Sequence, residues 1–179
     1  CLEGQDIMTQ YYEEREGIPA SRREQDLLAR LPAALKRAAE RAPAIAQQLQ
    51  GVDPGAIHQR SDLELIPVIR KSELLQAQLA MRQGESGNQL STVSRIFGGF
   101  SAIGWGEAAR VFASPGPIYE PESRRPDYWG FARSLYAAGF RRGELVYNCF
   151  SYHFTPAGSM METAAHALGC TVFPGGVGQ

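Results

Sequence analysis

Hydrophobic positions in the first third of the chain follow a helical rhythm. Leu27, Leu28, Leu31 and Leu35 recur at the three- and four-residue spacing that puts them on one helix face. Ser21-Arg-Arg-Glu24 just before them has the form of a capping box, in which the two side chains satisfy orphan backbone donors. Pro32 removes a backbone donor and predicts a kink or break near the start. An Ala- and Gln-rich pattern carries on to Leu49, interrupted at Pro43. Asp53-Pro54 and Ser61-Asp-Leu-Glu64 read as starts of short helical turns. After the apolar link Ile66-Pro-Val-Ile69, Ser72 is a candidate cap for a helix carrying Leu75 and Leu79. Residues 84–106, rich in Gly and Ser, read as a long loop or as short strands around Ile96-Phe97 and Phe100.

The last seventy positions alternate between two periods. Arg110-Val-Phe-Ala113 is strand-like and leads into the loop Ser114-Pro-Gly-Pro-Ile-Tyr-Glu-Pro121. Tyr128, Phe131, Ala132 and Leu135 form an apolar helical face closed by Gly139. Leu145-Val-Tyr147 is a second strand, followed by a polar-aromatic turn over 148–154. Thr155-Pro156 starts a helix with Met161, Ala164, Ala165 and Leu168 on one face. Gly169 ends it, and Cys170-Thr-Val-Phe173 is a third strand. Strand, helix, strand, helix, strand predicts an α/β fold: a helical N-terminal region, then a parallel sheet with right-handed crossovers. The expected organisation is one incomplete domain over 1–179, mostly helical to about 83, a Gly/Ser-rich loop over 84–109 and parallel α/β over 110–179.

Composition narrows the class. A chain of 179 residues with 44% hydrophobic content can bury a core without staples. Its net charge of -1 gives no reason to expect nucleic acid or an anionic membrane as partner. The three cysteines, Cys1, Cys149 and Cys170, form no regular framework and fit a reducing, cytoplasmic setting. His58, His153 and His166 make no ligand-spaced cluster, so no protein-held metal is expected. No apolar run approaches the roughly 20 residues of a membrane helix. The start lacks both a Met and a signal-peptide layout. The end, Gly-Gly-Val-Gly-Gln179, follows directly on a strand-like run. Both ends read as cuts from a longer chain, and an uncovered sheet edge would invite a second copy.

Two segments fall beyond the carboxyl ends of predicted strands, where open parallel sheets bind ligands. The 114–121 loop could aim backbone N–H groups at a phosphate, or it could be a plain turn, since Pro-Gly-Pro is turn chemistry. The segment Asn148-Cys-Phe-Ser-Tyr-His-Phe-Thr-Pro156 sets Tyr152, His153 and Phe154 side by side. This is either an aromatic wall for an organic substrate or a cover over the sheet end. Gly104-Trp-Gly106-Glu-Ala-Ala109 only partly matches a dinucleotide fingerprint and precedes its strand, which argues against it. Ser114 and Ser151 lack a nucleophile elbow, and the Cys149/His153 spacing defines no catalytic pair.

Taken together, these residues resemble the phenylacetate–CoA ligase-like proteins of the adenylate-forming superfamily. Arg110-Val-Phe-Ala-Ser-Pro-Gly-Pro-Ile-Tyr-Glu-Pro121 is similar to the family's phosphate-loop region. Leu65-Ile-Pro-Val-Ile-Arg-Lys-Ser-Glu-Leu74, Phe131-Ala-Arg-Ser-Leu-Tyr-Ala-Ala-Gly-Phe140 and the 148–176 stretch agree in order and spacing. The resemblance implies ATP-dependent activation of a carboxylic acid as acyl-adenylate, with transfer to coenzyme A and Mg²⁺ bridging the phosphates. By position, Ser114, Gly116, Pro117, Ile118 and Tyr119 would lie along the ATP phosphates. Tyr152, His153 and Phe154 would line an acyl pocket suited to an aryl-acetate, with Gly158 allowing close helix packing beside it. Only Ser114, Gly116 and Pro121 match the family's usual Ser-Ser-Gly-Thr-Thr-Gly-Lys-Pro loop, and Glu120 stands at its lysine. That departure motivates an alternative: a non-catalytic module binding a nucleotide or acyl group. The family's later motifs lie beyond Gln179, so the fragment alone is expected to be inactive.

Overall fold

The computed structural model describes residues 11–84 and 92–178. The chain divides into two compact units. Among the described residues, one comprises those of 21–125 and 153–156, the other those of 11–20, 126–152 and 157–178.

In the first unit, helix α1 spans Ala20–Arg41. Glu24, Leu28, Leu31, Leu35 and Ala38 form its half-buried stripe, while Leu27 faces solvent. Two expectations fail here. Ser21 lies inside the first turn and is not a cap, and α1 runs unbroken through Pro32. A proline inside a helix costs about 3 kcal/mol. Here the stripe continues on both sides of it, so one register is retained over 22 residues. Exposed pairs, Arg22 with Asp26 at 3.3 Å and Arg60 with Glu24 at 2.8 Å, flank the stripe. Short helix α2 (Pro43–Gln48) follows. The expected turns then appear as 3-10 segments, Pro54–Ala56 and Arg60–Leu65. The first is capped by Asp53, whose carboxylate accepts from Gly55 N at 2.8 Å. In the second, Asp62 accepts from the N–H groups of His58 and Gln59.

Helix α3 (Lys71–Arg82) has its N-cap at Arg70, not at Ser72. Glu73 reaches back to accept from Arg70 N at 2.9 Å and so replaces the expected serine cap. Helix α4 (Thr92–Phe97) occupies part of the stretch expected to be loop or strand; the rest of that expectation over 85–91 lies outside the described residues. Gly98 and Gly99, both at positive φ, then turn the chain against its neighbours. A Cβ on Gly98 would meet Gln78 N at 3.0 Å and Gln78 Cγ at 2.9 Å. Only glycine combines that conformation with that approach.

Strand β1 (Ala108–Ser114) pairs with β2 (Ile118–Ser123) in an antiparallel hairpin. This corrects the expectation that 110–113 belongs to a parallel sheet. Ile118 and Glu122 turn inward along β2, and Glu122 is neutralised by Arg110 at 2.7 Å. At the foot of β1, Glu107 takes a bidentate hydrogen bond from Arg41, with distances of 2.8 and 2.6 Å. That contact, then the Gly104 N–H, holds the Glu107 carboxyl below its usual range. A lowered folded value means that its contribution is complete above the ordinary carboxylate pKa and is lost as pH falls through the folded one. Glu107→Gln is therefore expected to be slightly less stable than wild type near neutrality. Urea titrations at decreasing pH should show the gap closing in acid; a gap independent of pH would contradict this.

In the second unit, helix α5 (Ala132–Ala137) is shorter than the apolar spacing implied. Tyr128 lies in the preceding turn. The helix is capped by Asp127, whose carboxylate accepts from Phe131 N at 2.8 Å and Ala132 N at 3.1 Å. Strand β3 (Leu145–Tyr147), helix α6 (Ala157–Ala167) and strand β4 (Thr171–Phe173) form the expected parallel unit. Ala132, Ala164 and Ala165 are fully buried and, with Leu168 and Cys170, make the core beneath Phe131, Leu135 and Phe140. Small side chains at 164 and 165 let α6 sit close to its neighbours. Cys170 donates to Arg141 O at 3.1 Å, and burial pushes its thiol pKa up. Among the described residues, no helix is long and apolar enough to cross a membrane.

Candidate functional site

The two segments singled out in the sequence are built differently. The 114–121 segment is the tip and second strand of the β1–β2 hairpin, with residues 115–117 as its turn. No helix follows it to aim an N-terminal dipole at a ligand. Pro115 and Pro117 lack N–H groups, so Gly116 is the only backbone donor of the tip. Gly116 itself has φ +144. The Ser114 hydroxyl donates back to Ile118 O at 3.3 Å. Ile118 is only 1% exposed and points into its own unit, so it cannot line a phosphate. Tyr119 is held by Gln78 on both backbone groups: Tyr119 N donates to Gln78 Oε1 at 2.8 Å, and Gln78 Nε2 donates to Tyr119 O at 2.9 Å. The Arg82 guanidinium lies 4.8 Å over the Tyr119 ring. Gln78 thus mimics a further strand along β2. Its sequence position, a glutamine within a helical run, carries no signal of that role.

The 148–158 loop is built around Asn148. This residue directly follows β3 and is buried. Its Nδ2 donates to Tyr152 Oη at 2.7 Å and to Gly158 O at 2.9 Å, and its Oδ1 accepts from Phe150 N at 3.1 Å. Gly158 N donates to Ser151 O at 2.9 Å, so both amide groups of Gly158 bind the loop. The absent side chain of Gly158 is what permits this. A Cβ there would lie 2.6 Å from Ser151 O and 2.9 Å from Tyr152 Cγ. Tyr152 is half-buried against α6, whereas His153 and Phe154 are exposed and belong with the first unit. Phe154 has φ +61, and its carbonyl accepts from Ala113 N at 2.7 Å, one residue before the hairpin tip. Within the expected aromatic wall, Tyr152 is anchored by Asn148.

The remaining candidates resolve simply. Gly104 and Glu107 form a turn into β1, with Gly104 N donating to Glu107 Oε2 at 3.1 Å, not a dinucleotide loop. Cys149 is exposed and in no disulfide. Among the described residues, no group of three or more His, Cys, Asp or Glu side chains could hold a metal ion.

This architecture is that of the CoA ligases. The chain aligns over its whole length with solved structures of 2-hydroxyisobutyryl-CoA ligase. One, in the postadenylation state with 2-HIB-AMP, matches with a TM-score of 0.80 at 24% identity. Another, an open conformation with 2-HIB-AMP and CoA, matches with a TM-score of 0.79 at 24% identity. In sequence, it is 33% identical over 131 residues to a phenylacetate-coenzyme A ligase of Thermus thermophilus, a match covering 69% of this chain. The chain spans 25% of that relative's length and 36–37% of the two solved chains. No family model matches. In fold and in sequence the chain is thus similar to part of a CoA ligase.

Proposed function

We propose that the protein to which this chain belongs is an ATP-dependent acid–thiol ligase, which activates an aryl carboxylic acid such as phenylacetate as acyl-adenylate and transfers it to coenzyme A. The observation that carries this reading is the relation to a phenylacetate-coenzyme A ligase, together with the anchored Tyr152 loop. A ring held by Asn148 and backed by Gly158 suits a flat aryl side chain, since aromatic pairs contribute about 0.5–1.5 kcal/mol beyond their buried area. In this reading the chain supplies part of the acid pocket, from Tyr152 and Gly158.

The hairpin supports the nucleotide half less well. Its tip has one backbone donor, Gly116, and the Ser114 hydroxyl is turned toward Ile118 O. Contacts from Ser114, Gly116, Pro117 and Tyr119 to a triphosphate would be few. Among the described residues no three or more His, Cys, Asp or Glu side chains group where they could hold a metal ion, and no metal step is assigned to this chain. The hairpin tip with its single backbone donor is the specific observation that favours the second reading, a non-catalytic module that binds a nucleotide or acyl group.

The deciding experiment is pyrophosphate exchange by the full-length protein over a panel of aryl carboxylic acids. Exchange that depends on an aryl acid is expected. No exchange with any acid, with ATP binding retained, would favour the binding module.

A further inference from the structure

We infer that Asn148 is a positioning residue for the acid pocket: it fixes the Tyr152 ring and the first turn of α6 in one arrangement. This rests on the reading of Tyr152 as a pocket residue. The geometry is specific. One buried carboxamide uses two donor bonds and one acceptor bond on three separate points: the Tyr152 phenol, the Gly158 carbonyl and the Phe150 N–H. All four residues lie in the same unit. A carboxamide carries exactly the two N–H donors and the carbonyl oxygen these contacts use. Asparagine is also short enough to remain beside the end of β3, where a glutamine would overshoot. The bond to the Tyr152 phenol is not needed to pack the ring, because the Gly158 contact already sets the ring's closeness to α6. What it adds is direction: the ring cannot swing about its own χ1 without breaking this part-buried bond.

Asn148 does not touch substrate in this account and acts through Tyr152. Its loss should therefore fall on recognition of an aryl acid more than on turnover. A hydrogen bond of this kind corresponds to about a tenfold change in affinity.

The test uses the full-length protein labelled with fluorotyrosine, with the Tyr152 resonance assigned by Tyr152→Phe. In wild type, one narrow Tyr152 resonance is expected, shifting on addition of phenylacetate. In Asn148→Ala, the resonance should move toward that of free fluorotyrosine. KM for phenylacetate should rise about tenfold with kcat changed less than twofold. Should Asn148→Ala fail to fold, Asn148→Asp keeps the size and the acceptor for Phe150 but removes both N–H donors. The phenol would then face a carboxylate, and its resonance should shift. A folded variant with an unchanged Tyr152 resonance and an unchanged KM would overturn the inference. If wild type does not respond to phenylacetate, the choice of aryl acid fails, while the Tyr152 resonance of the variants still decides the role of Asn148.

Discussion

Replacing Gln78 by leucine is expected to destabilise the first unit by about 2–4 kcal/mol, since each stranded polar group costs roughly 1–3 kcal/mol. Gln78 is 1% exposed, and its amide binds both the N–H and the C=O of Tyr119. Leucine fills similar space but leaves both groups of β2 without those partners. It also leaves Gly98 packed against a side chain that no longer ties α3 to the hairpin. Part of the loss will be offset where water reaches the half-exposed Tyr119. Chemical denaturation of the two proteins measures the difference, and amide exchange at Tyr119 should report it locally. A loss below about 0.5 kcal/mol, the level of an ordinary surface substitution, would show that the clamp is dispensable.

The second large effect is expected at Gly158. Alanine there places a methyl group 2.6 Å from Ser151 O, and that oxygen is backbone already bonded to Gly158 N. The obstacle cannot rotate away as a flexible side chain would. Overpacking of this kind costs about 1–3 kcal/mol, and valine should exceed alanine. Because Gly158 O also accepts from Asn148, the displacement should disturb Tyr152 as well. Thermal unfolding of Gly158→Ala, with the Tyr152 environment followed in parallel, tests both parts. An alanine variant as stable as wild type, with Tyr152 undisturbed, would mean that the loop and α6 are not in close contact.

The legible parts of the fold are those where periodicity and packing agree. The β3–α6–β4 unit could be read from Met161, Ala164, Ala165 and Leu168 between two short apolar runs, because α6 buries that face. The hairpin was hidden for a physical reason. The sequence of β2, Ile-Tyr-Glu-Pro-Glu-Ser, follows two strand-favouring residues with Glu-Pro-Glu, which disfavours a strand. It is a strand because Ile118 and Glu122 face inward together, and Glu122 does so only with Arg110 and the pairing with β1 in place. These are contacts between residues far enough apart that no local pattern reports them. α4 was obscured by its glycine-rich surroundings, and Pro32 was overruled by the apolar stripe on either side. At the candidate site, Tyr152 was visible as a residue type in a loop between strand and helix, and Gly158 at the start of that helix. Asn148 was visible only as the loop's first residue, and its three bonds emerge only when that loop folds back on α6.

The contrast between the two segments shapes the functional reading. The 148–158 loop is tightly determined by Asn148 and Gly158. The 114–119 hairpin spends its polar groups on itself and on Gln78. The most direct test of the account is therefore the intermediate itself. The full-length protein should be incubated with ATP, Mg²⁺ and phenylacetate in the absence of coenzyme A, and the mixture analysed by mass spectrometry. Phenylacetyl-adenylate is expected, consumed to the thioester when coenzyme A is added. A folded protein that binds ATP but yields no adenylate with phenylacetate or any other aryl acid would contradict it.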